Sequence, residues 1–263
     1  MDLVDKKAEF GSKKYGKEFL EEMKNKFGID LIGVMAVDDC DNRFFKRGIK
    51  ALLPGAKSAV VFAVEVAKET LALVYHPSKY LGRAATGEIL EPHFVWITNK
   101  LENVNNEVAS ILRKEGYPSI ALPSRGLPME IGMGVAMIDY VHVALEAGMG
   151  TIGHHGFLIT PEFGPRVRLG VLLTEAPIEP TVKDEEKDYC IHCYGCVDIC
   201  PVNAIKHPDD TGKLYEVDAM RCKFFRNRTE QIEMGTCGLC MKVCDVATSE
   251  GEEEAKKVVA GKR

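Results

Sequence analysis

The sequence lacks a long apolar run and any recognisable export signal. Residues 1–19 carry charges throughout, without the apolar core of a secretory signal peptide and without a twin-arginine pair. No stretch approaches the ~18 uninterrupted apolar residues that a membrane-spanning helix requires. These absences predict a cytoplasmic protein that contacts no membrane.

A surplus of basic residues is also missing. The chain has 34 Lys and Arg against 39 Asp and Glu, so its formal net charge is -5. Such a field does not attract a polyanion, which makes DNA and tRNA poor candidate partners. With 263 residues, 46% of them hydrophobic, the chain is long enough for a sizeable core. This length predicts one larger domain followed by a small one.

Cysteine is the residue that the sequence does supply in a pattern. Of nine cysteines, all but one fall between Cys190 and Cys244. The first group, CIHCYGCVDICP, has the spacing C-x2-C-x2-C-x3-C-P that bacterial ferredoxins use for 4Fe-4S clusters. Zinc sites use two C-x2-C pairs rather than this triplet, and an even count also permits disulfides. The pattern predicts two 4Fe-4S clusters, with zinc and disulfides as the alternatives.

The spacing also predicts which cysteines share a cluster. In two-cluster ferredoxins the fourth cysteine of the run ligates the other cluster. One cluster is therefore predicted to be held by Cys190, Cys193, Cys196 and Cys244. The other is predicted to be held by Cys200, Cys222, Cys237 and Cys240. Cys40 stands in the polar run DDCDNR and is interpreted as a loop residue, not a ligand.

Hydrophobic periodicity predicts alternating helices and strands before the cysteines. The helices are predicted over residues 14–27, 94–111 and 136–147. The strands are predicted over residues 31–37, 58–66, 119–122 and 166–174. Residues 75–92 contain several Gly and Pro and are interpreted as a long loop. The Pro-rich APIEPT predicts domains over 1–180 and 181–248, and residues 249–263 are predicted to be a charged tail.

A glycine motif precedes the cysteines. Gly148, Gly150 and Gly153 satisfy G-x-G-x-x-G, which in a nucleotide-binding fold follows a strand and opens a helix. Here a predicted helix precedes the glycines, and Pro161 and Pro165 follow them. A nicotinamide site is therefore rejected. The glycines are instead predicted to let the backbone approach a large, flat ligand.

Three segments together resemble a family. LLPGAKSAVVFA, AGMGTIGHHGFLITPEFGPRVRLG and MRCKF around Cys222 resemble the cobalamin-dependent reductive dehalogenases and epoxyqueuosine reductases, over roughly residues 28–248. The resemblance implies an α+β protein, with a nitroreductase-like α/β sandwich that binds a corrinoid and a two-cluster ferredoxin-like domain that passes single electrons to cobalt. The corrinoid contacts implied by the resemblance are Gly148, Gly150, Gly153, His154, His155, Gly156, Leu158, Thr160 and Arg166. Either histidine is placed near cobalt or a cluster, or acts only as a hydrogen-bond donor.

The sequence departs from both branches at the proton donor. The resemblance places Gly134 where epoxyqueuosine reductases carry an aspartate, and the nearest acids are Glu130 and Asp139. No residues remain for the helical-repeat domain that those enzymes use for tRNA, so epoxyqueuosine reduction is not expected. Dehalogenases use a tyrosine paired with Lys or Arg, for which Tyr140 is a candidate. Further candidates for that pair are Tyr75, Tyr80, Arg83 and Arg125.

These features predict an iron-sulfur oxidoreductase that binds cobalamin. It would either act on a small electrophile in the manner of a reductive dehalogenase or reduce the corrinoid of another protein. An external donor such as a ferredoxin or flavodoxin is expected to supply its electrons. The alternatives are a non-catalytic electron carrier that docks a partner enzyme and an iron-sulfur reductase that binds FMN.

Overall fold

The structure is a computed structural model of the chain. It describes residues 15–38, 40, 43–73, 82–124, 138–184, 187–213, 215–230 and 237–244. Helices and strands are interspersed up to residue 174, and four helices follow in the described part of the chain. In chain order the elements are α1 (Lys17–Phe27), β1 (Leu31–Ala36), α2 (Arg43–Leu52), β2 (Ser58–Glu65), α3 (Lys68–Ala72), α4 (Gly82–Lys114), β3 (Ser119–Ala121), α5 (Tyr140–Glu146), β4 (Thr151–Ile152), β5 (Leu158–Ile159), β6 (Val167–Thr174), α6 (Gly195–Ile199), α7 (Pro208–Thr211), α8 (Ala219–Glu230) and α9 (Leu239–Val243).

The chain divides into two compact units. The first, which we call the sheet unit, comprises Met1–Val64, Thr98–Met149 and Arg168–Asp184. The second, the cysteine unit, comprises Glu65–Ile97, Gly150–Val167 and Glu185–Arg263. The glycine-rich segment that follows Met149 therefore belongs to the same unit as the cysteines. The domain boundary near residue 180 stays a prediction.

The sheet unit is built on four strands in the order β1-β2-β6-β3. β1 and β2 are antiparallel, with Leu31 opposite Ala63 and Ala36 opposite Ser58, and β3 is antiparallel to β6. Seven of the eight residues of β2 are buried. A strand with this burial has both faces covered, which explains its unbroken run of apolar and small residues. The four strands confirm the predicted ones to within one residue at either end.

The first helix ends where the sequence predicts. Gly28 adopts the left-handed conformation, with φ 59°, and its N–H donates to the carbonyl of Lys24. A glycine is favoured here because a side chain is strained at positive φ. α1 and α5 both contact β1.

The predicted loop over residues 75–92 is wrong where the structure describes it. α4 begins at Gly82 and contains Pro92, a residue that normally disfavours a helix interior. The reason is that the buried stripe of this helix begins before Phe94. Leu90 and Ile97 are both fully buried and lie seven residues apart on the same face.

Two other helices differ from expectation. α2 was not predicted, although its Ile49 is fully buried. α5 begins at Tyr140 rather than near residue 136, because the side chain of Asp139 accepts the N–H of Val141 at 2.9 Å and caps the helix there. Residues 136 and 137 lie outside the described part of the chain.

The cysteine unit contains short elements. β4 and β5 form an antiparallel hairpin, with Thr151 opposite Ile159. α6 and α9 contact each other, and each begins after a residue in the left-handed conformation, Tyr194 or Gly238. Each of these helices contains the second cysteine of a C-x2-C pair, Cys196 or Cys240, and is followed by a further cysteine, so the two cysteine groups repeat one local structure. Among the described residues, no helix is long and apolar enough to cross a membrane.

Candidate metal centre

Four cysteines line one cavity in the cysteine unit. They are Cys190, Cys193, Cys196 and Cys244. The first three come from one C-x2-C-x2-C run, whereas the last follows α9. This is the set predicted for one cluster. The cavity is lined by Cys244 and not by Cys200, as expected if the fourth cysteine of each group ligates the other group's cluster. Its remaining lining residues are His154, His155, Ile191, His192, Tyr194 and Val243.

A tight turn of the backbone brings the first three cysteines together. His192 and Tyr194 adopt positive φ, at 52° and 56°, although neither is glycine. Backbone strain of this kind costs about 1–3 kcal/mol per residue and is characteristic of functional sites. The turn is anchored by Asp188, whose carboxylate accepts the N–H of Cys190 at 2.9 Å. The spacing of the cysteines therefore works together with a strained loop.

Burial governs the ionisation of these thiols. It raises the pKa of Cys190, and the backbone N–H groups of His192 and His154 offset part of this rise. Burial and the neighbouring thiols of Cys193 and Cys190 raise the pKa of Cys196 to about 12. These thiols therefore hold their protons at neutral pH until a metal replaces them, so metal binding releases protons.

The second predicted set is gathered around Cys240. Burial raises the pKa of this thiol to about 12, and Cys237, Cys196 and Cys222 add to the rise through their charges. Cys222 and Cys237 are two of its three predicted partners. Cys200 follows α6, and its sulfur accepts the N–H of Ala204 at 3.2 Å. The eight thiols offer the donor set of two 4Fe-4S clusters, and the assignment of individual ligands stays a prediction.

A chain of hydrogen bonds leads from the cavity to an exposed carboxylate. Nε2 of the buried His154 lies 2.9 Å from Nδ1 of His192. Nε2 of His192 lies 3.0 Å from Oδ2 of Asp188. The donor atoms of His154, Cys190 and His192 lie within 4.8 Å of one another. The two histidines singled out in the sequence, His154 and His155, line the same cavity as the cysteines predicted for one cluster.

The chain's own packing explains two glycines of the predicted corrinoid segment. A Cβ at Gly148 would lie 2.5 Å from the carbonyl oxygen of Val182, and one at Gly150 would lie 2.1 Å from that of Ile159. Any side chain would therefore collide with backbone at these positions. The prediction that their backbone contacts a flat ligand is not needed to explain them and stays a prediction.

The polar groups of the same segment also have partners within the protein. The hydroxyl of Thr160 donates to the carbonyl of Gly164 at 3.2 Å. The guanidinium of Arg166 donates to the carboxylate of Glu65 and to the carbonyl of Val66. Leu158 is buried. A Cβ at Gly156 would lie 3.2 Å from the side chain of Val217.

Of the candidate proton donors, Asp139 and Tyr140 lie in the described part of the chain. Burial raises the pKa of Asp139, but its hydrogen bond to His142, at 2.8 Å, and the nearby N–H groups outweigh this and lower it. Burial raises the pKa of Tyr140, and the charge of Glu102 adds to the rise. At neutral pH Tyr140 keeps its proton, whereas Asp139 is ionised.

The hydroxyl of Tyr140 donates to the carbonyl of Pro123 at 2.8 Å. Several other candidates cannot be placed. Glu130, Gly134, Arg125, Tyr75 and Tyr80 lie outside the described residues, and so does the side chain of Arg83.

The cysteine region matches a known domain. Residues 189–248 match the family model of the 4Fe-4S dicluster domain. The chain contains a 4Fe-4S dicluster domain. This match confirms the cluster type that the cysteine spacing predicts and disfavours zinc and disulfides.

Curated relatives bear the two names that the resemblance suggests. The chain is 30% identical over 163 residues to a tetrachloroethene reductive dehalogenase of Desulfitobacterium hafniense, covering 56% of this chain and 27% of that protein. It is 36% identical over 110 residues to an epoxyqueuosine reductase of Synechococcus sp. (strain RCC307), covering 38% of this chain and 32% of that one. The chain thus spans about a third or less of the length of these two relatives.

Solved structures of both classes share the fold. An epoxyqueuosine reductase from Streptococcus thermophilus superposes with a TM-score of 0.56 at 20% identity, covering 88% of this chain and 66% of that one. A catabolic reductive dehalogenase superposes with a TM-score of 0.63 at 18% identity, covering 92% and 34%. The mixed α/β fold with its dicluster domain and the resemblance to both classes are confirmed. The nitroreductase-like sandwich stays a prediction.

Sequence reasoning missed part of the site. The strained turn at His192 and Tyr194 was not predicted, because positive φ is uncommon for any residue other than glycine, even though His adopts it more often than most. Asp188 did give a sequence signal. An Asp side chain often accepts the N–H of the residue two positions later, which is an Asx turn.

Proposed function

We propose that this protein is an iron-sulfur oxidoreductase that carries single electrons through two 4Fe-4S clusters. The observation that supports this most directly is the position of Cys244 in the cavity lined by Cys190, Cys193 and Cys196. Four thiols from two separate groups of the sequence line one cavity, which is the donor set that a cubane requires. When bound, the clusters supply one-electron redox chemistry.

The residues around the cavity prepare it for that role. Burial keeps water from the thiol of Cys196 in this cavity, and from that of Cys240 in the second predicted set, which favours a bound metal over solvent as the partner of their sulfurs. Backbone N–H groups of His154 and His192 are directed at the sulfur of Cys190. Such donors stabilise negative charge on a ligand sulfur and influence the reduction potential of a cluster.

The proposed electron acceptor is cobalamin, held by a nitroreductase-like domain. The support comes from the relatives, because both dehalogenases and epoxyqueuosine reductases match this chain. One solved neighbour is described as a reductive dehalogenase with a B12-dependent mechanism. The reaction would be reduction of a small electrophile or of a corrinoid on another protein. A ferredoxin or flavodoxin in the cytoplasm is the proposed electron donor.

One observation favours a second candidate, a non-catalytic electron carrier. The polar groups of Thr160 and Arg166, both predicted to contact a corrinoid, are occupied within the protein. A carrier would need the clusters and a docking partner but no corrinoid. FMN in place of cobalamin is the third possibility.

Cofactor uptake separates these candidates. The chain would be reconstituted with iron and sulfide under anaerobic conditions, then incubated with cobalamin or FMN at roughly micromolar concentration and desalted. The proposal expects cobalt to be retained together with iron. Iron without cobalt would contradict the cobalamin proposal and favour the carrier, and a flavin absorbance band would favour the FMN protein. Cys40→Ala serves as the matched control, since Cys40 is not a proposed ligand.

We further propose that epoxyqueuosine in tRNA is not the substrate. The net charge of -5 opposes binding of a polyanion, and Gly134 stands where the resemblance expects the donor aspartate. General acid catalysis is worth about 10²- to 10⁴-fold, so its loss leaves turnover slow. Incubation with epoxyqueuosine tRNA, cobalamin and titanium(III) citrate should give no appreciable queuosine. Rapid formation of queuosine would contradict this proposal.

A further inference from the structure

One ring nitrogen of His155 forms a hydrogen bond, and the other has no partner among the described residues. Its Nδ1 accepts the backbone N–H of Phe157 at 3.0 Å. Because a backbone N–H only donates, Nδ1 carries no proton, and the neutral ring carries its proton on Nε2. Nε2 has no hydrogen-bond partner among the described residues, although the residue is only 4% exposed. A buried donor of this kind is expected to have an acceptor that the polypeptide does not supply.

The ring is held in place and stays neutral. A Cβ at Gly153 would lie 2.8 Å from Cε1 of His155, so only glycine leaves room for the ring there. The ring of Phe157 lies 5.2 Å away, centroid to centroid. Burial and the neighbouring His154 lower the pKa of His155 to about 4. The tautomer set by Phe157 is therefore the form present at physiological pH.

The surroundings of the ring identify the acceptor. His155 lines the same cavity as Cys190, Cys193, Cys196 and Cys244. The adjacent residue in the sequence, His154, already uses its Nε2 with His192. The hydrogen-bond acceptor that the cavity supplies to a buried N–H is therefore sulfur, either a cluster sulfide or the thiolate of a ligand cysteine.

We propose that Nε2–H of His155 donates a hydrogen bond to a sulfur of the cluster held by Cys190, Cys193, Cys196 and Cys244. This inference rests on the ligand set of the proposed function. A hydrogen bond to sulfur stabilises the more negative, reduced cluster and so raises its reduction potential. His155 is in this sense a positioning residue that sets the potential of one cluster and leaves the other unchanged.

An anaerobic redox titration followed by EPR tests the proposal on the full chain with both clusters. His155→Leu removes the donor, and His155→Gln keeps an N–H near the position of Nε2. We expect the leucine variant to shift the potential of one cluster to more negative values, with the glutamine variant close to the unmodified protein. His93→Leu removes an imidazole of α4 that does not line the cavity, and it should leave both potentials unchanged. Unchanged potentials in His155→Leu would overturn the inference.

Failures of the two proposals can be told apart. If the unmodified protein shows no 4Fe-4S signal after reconstitution, the ligand set and the inference both fail. If clusters form normally but His155→Leu does not alter a potential, the inference alone fails. Should the leucine variant not assemble, His155→Asn replaces it, because its amide reaches only the position of Nδ1. A negative shift in His155→Asn but not in His155→Gln supports the hydrogen bond, and equal potentials in the two variants overturn it.

Discussion

The sheet unit and the cysteine region differ in what holds them together. In the sheet unit, fully buried residues such as Phe62, Leu172 and Leu173 form a continuous core on adjacent strands. Over the described residues of 187–244, the buried hydrophobic residues are few. They are Cys196, Ala204, Ile205 and Met241. So little apolar burial offsets little of the entropy of ordering this segment, and we therefore expect bound metal to supply much of its stability.

Removal of iron should give the largest effect and separate the two regions. We expect a chelator, applied without oxygen, to abolish amide protection of residues 190–200 while β2 and β6 keep theirs, since the sheet does not depend on the metal. Hydrogen exchange with mass spectrometry measures both regions in one sample. Equal loss in both, or protection that survives iron removal around the cysteines, would contradict the comparison.

Single cysteine variants sharpen the account within the cysteine region. If the fourth ligands cross, Cys200→Ala should lose the same cluster as Cys222→Ala, and Cys244→Ala the same cluster as Cys190→Ala. Each variant should retain about half of the iron of the unmodified protein. EPR spectra of the reduced variants make the comparison, with Cys40→Ala as the control that keeps both clusters.

The opposite grouping would refute the crossed assignment. In that case the spectrum of Cys200→Ala would match that of Cys190→Ala. Cys40 lies outside the helices and strands, as predicted, and is buried, so its truncation tests burial without touching a predicted ligand.

Truncation of a core residue tests the other side of the comparison. Phe62→Ala should lower the free energy of unfolding by about 3–5 kcal/mol, because the ring is buried and leaves a cavity. Iron content at low temperature should not change. Phe224→Ala is the matched control, since that ring is 62% exposed and its loss should cost less than about 0.5 kcal/mol. Denaturant unfolding followed by circular dichroism measures both variants.

The smallest effect is expected at the cap of α5. Asp139→Ala should destabilise the protein by about 1 kcal/mol, whereas Asp139→Asn keeps the cap and should cost less. Since the pKa of Asp139 is lowered in the folded protein, its charge stabilises the fold at pH 7. This stabilisation is lost as the pH falls below the ordinary pKa of 3.8. Equal stability of the alanine and asparagine variants at pH 7 would contradict the capping role.

Strand and helix positions followed from the sequence where periodicity was strong. The main part of α4 was predicted because apolar residues repeat at the helix period, and β2 because a continuous β-branched run follows a Pro-Gly turn. The start of α4 was not predicted, because Pro92 and the glycines around it suggested a loop. Burial of Leu90 shows that tertiary packing decided that segment.

The site was predictable in its ligands and not in its hydrogen bonds. The cysteine spacing indicated the cluster type, since it reflects a local requirement of the ligands. The positive φ of His192 and Tyr194, and the lack of a partner for Nε2 of His155 among the described residues, were not predicted from local patterns. The glycines at 148 and 150 were assigned to a ligand because the backbone that fills their space is distant in sequence or belongs to a hairpin.

The metal and sulfide content of the protein purified without oxygen tests the central claim most directly. Two 4Fe-4S clusters correspond to about eight iron and about eight sulfide ions per chain, and the reduced protein should give the EPR spectrum of two such clusters. Zinc bound to the cysteines without sulfide would contradict the account, as would about four iron ions per chain in a protein that retains all eight predicted ligand cysteines.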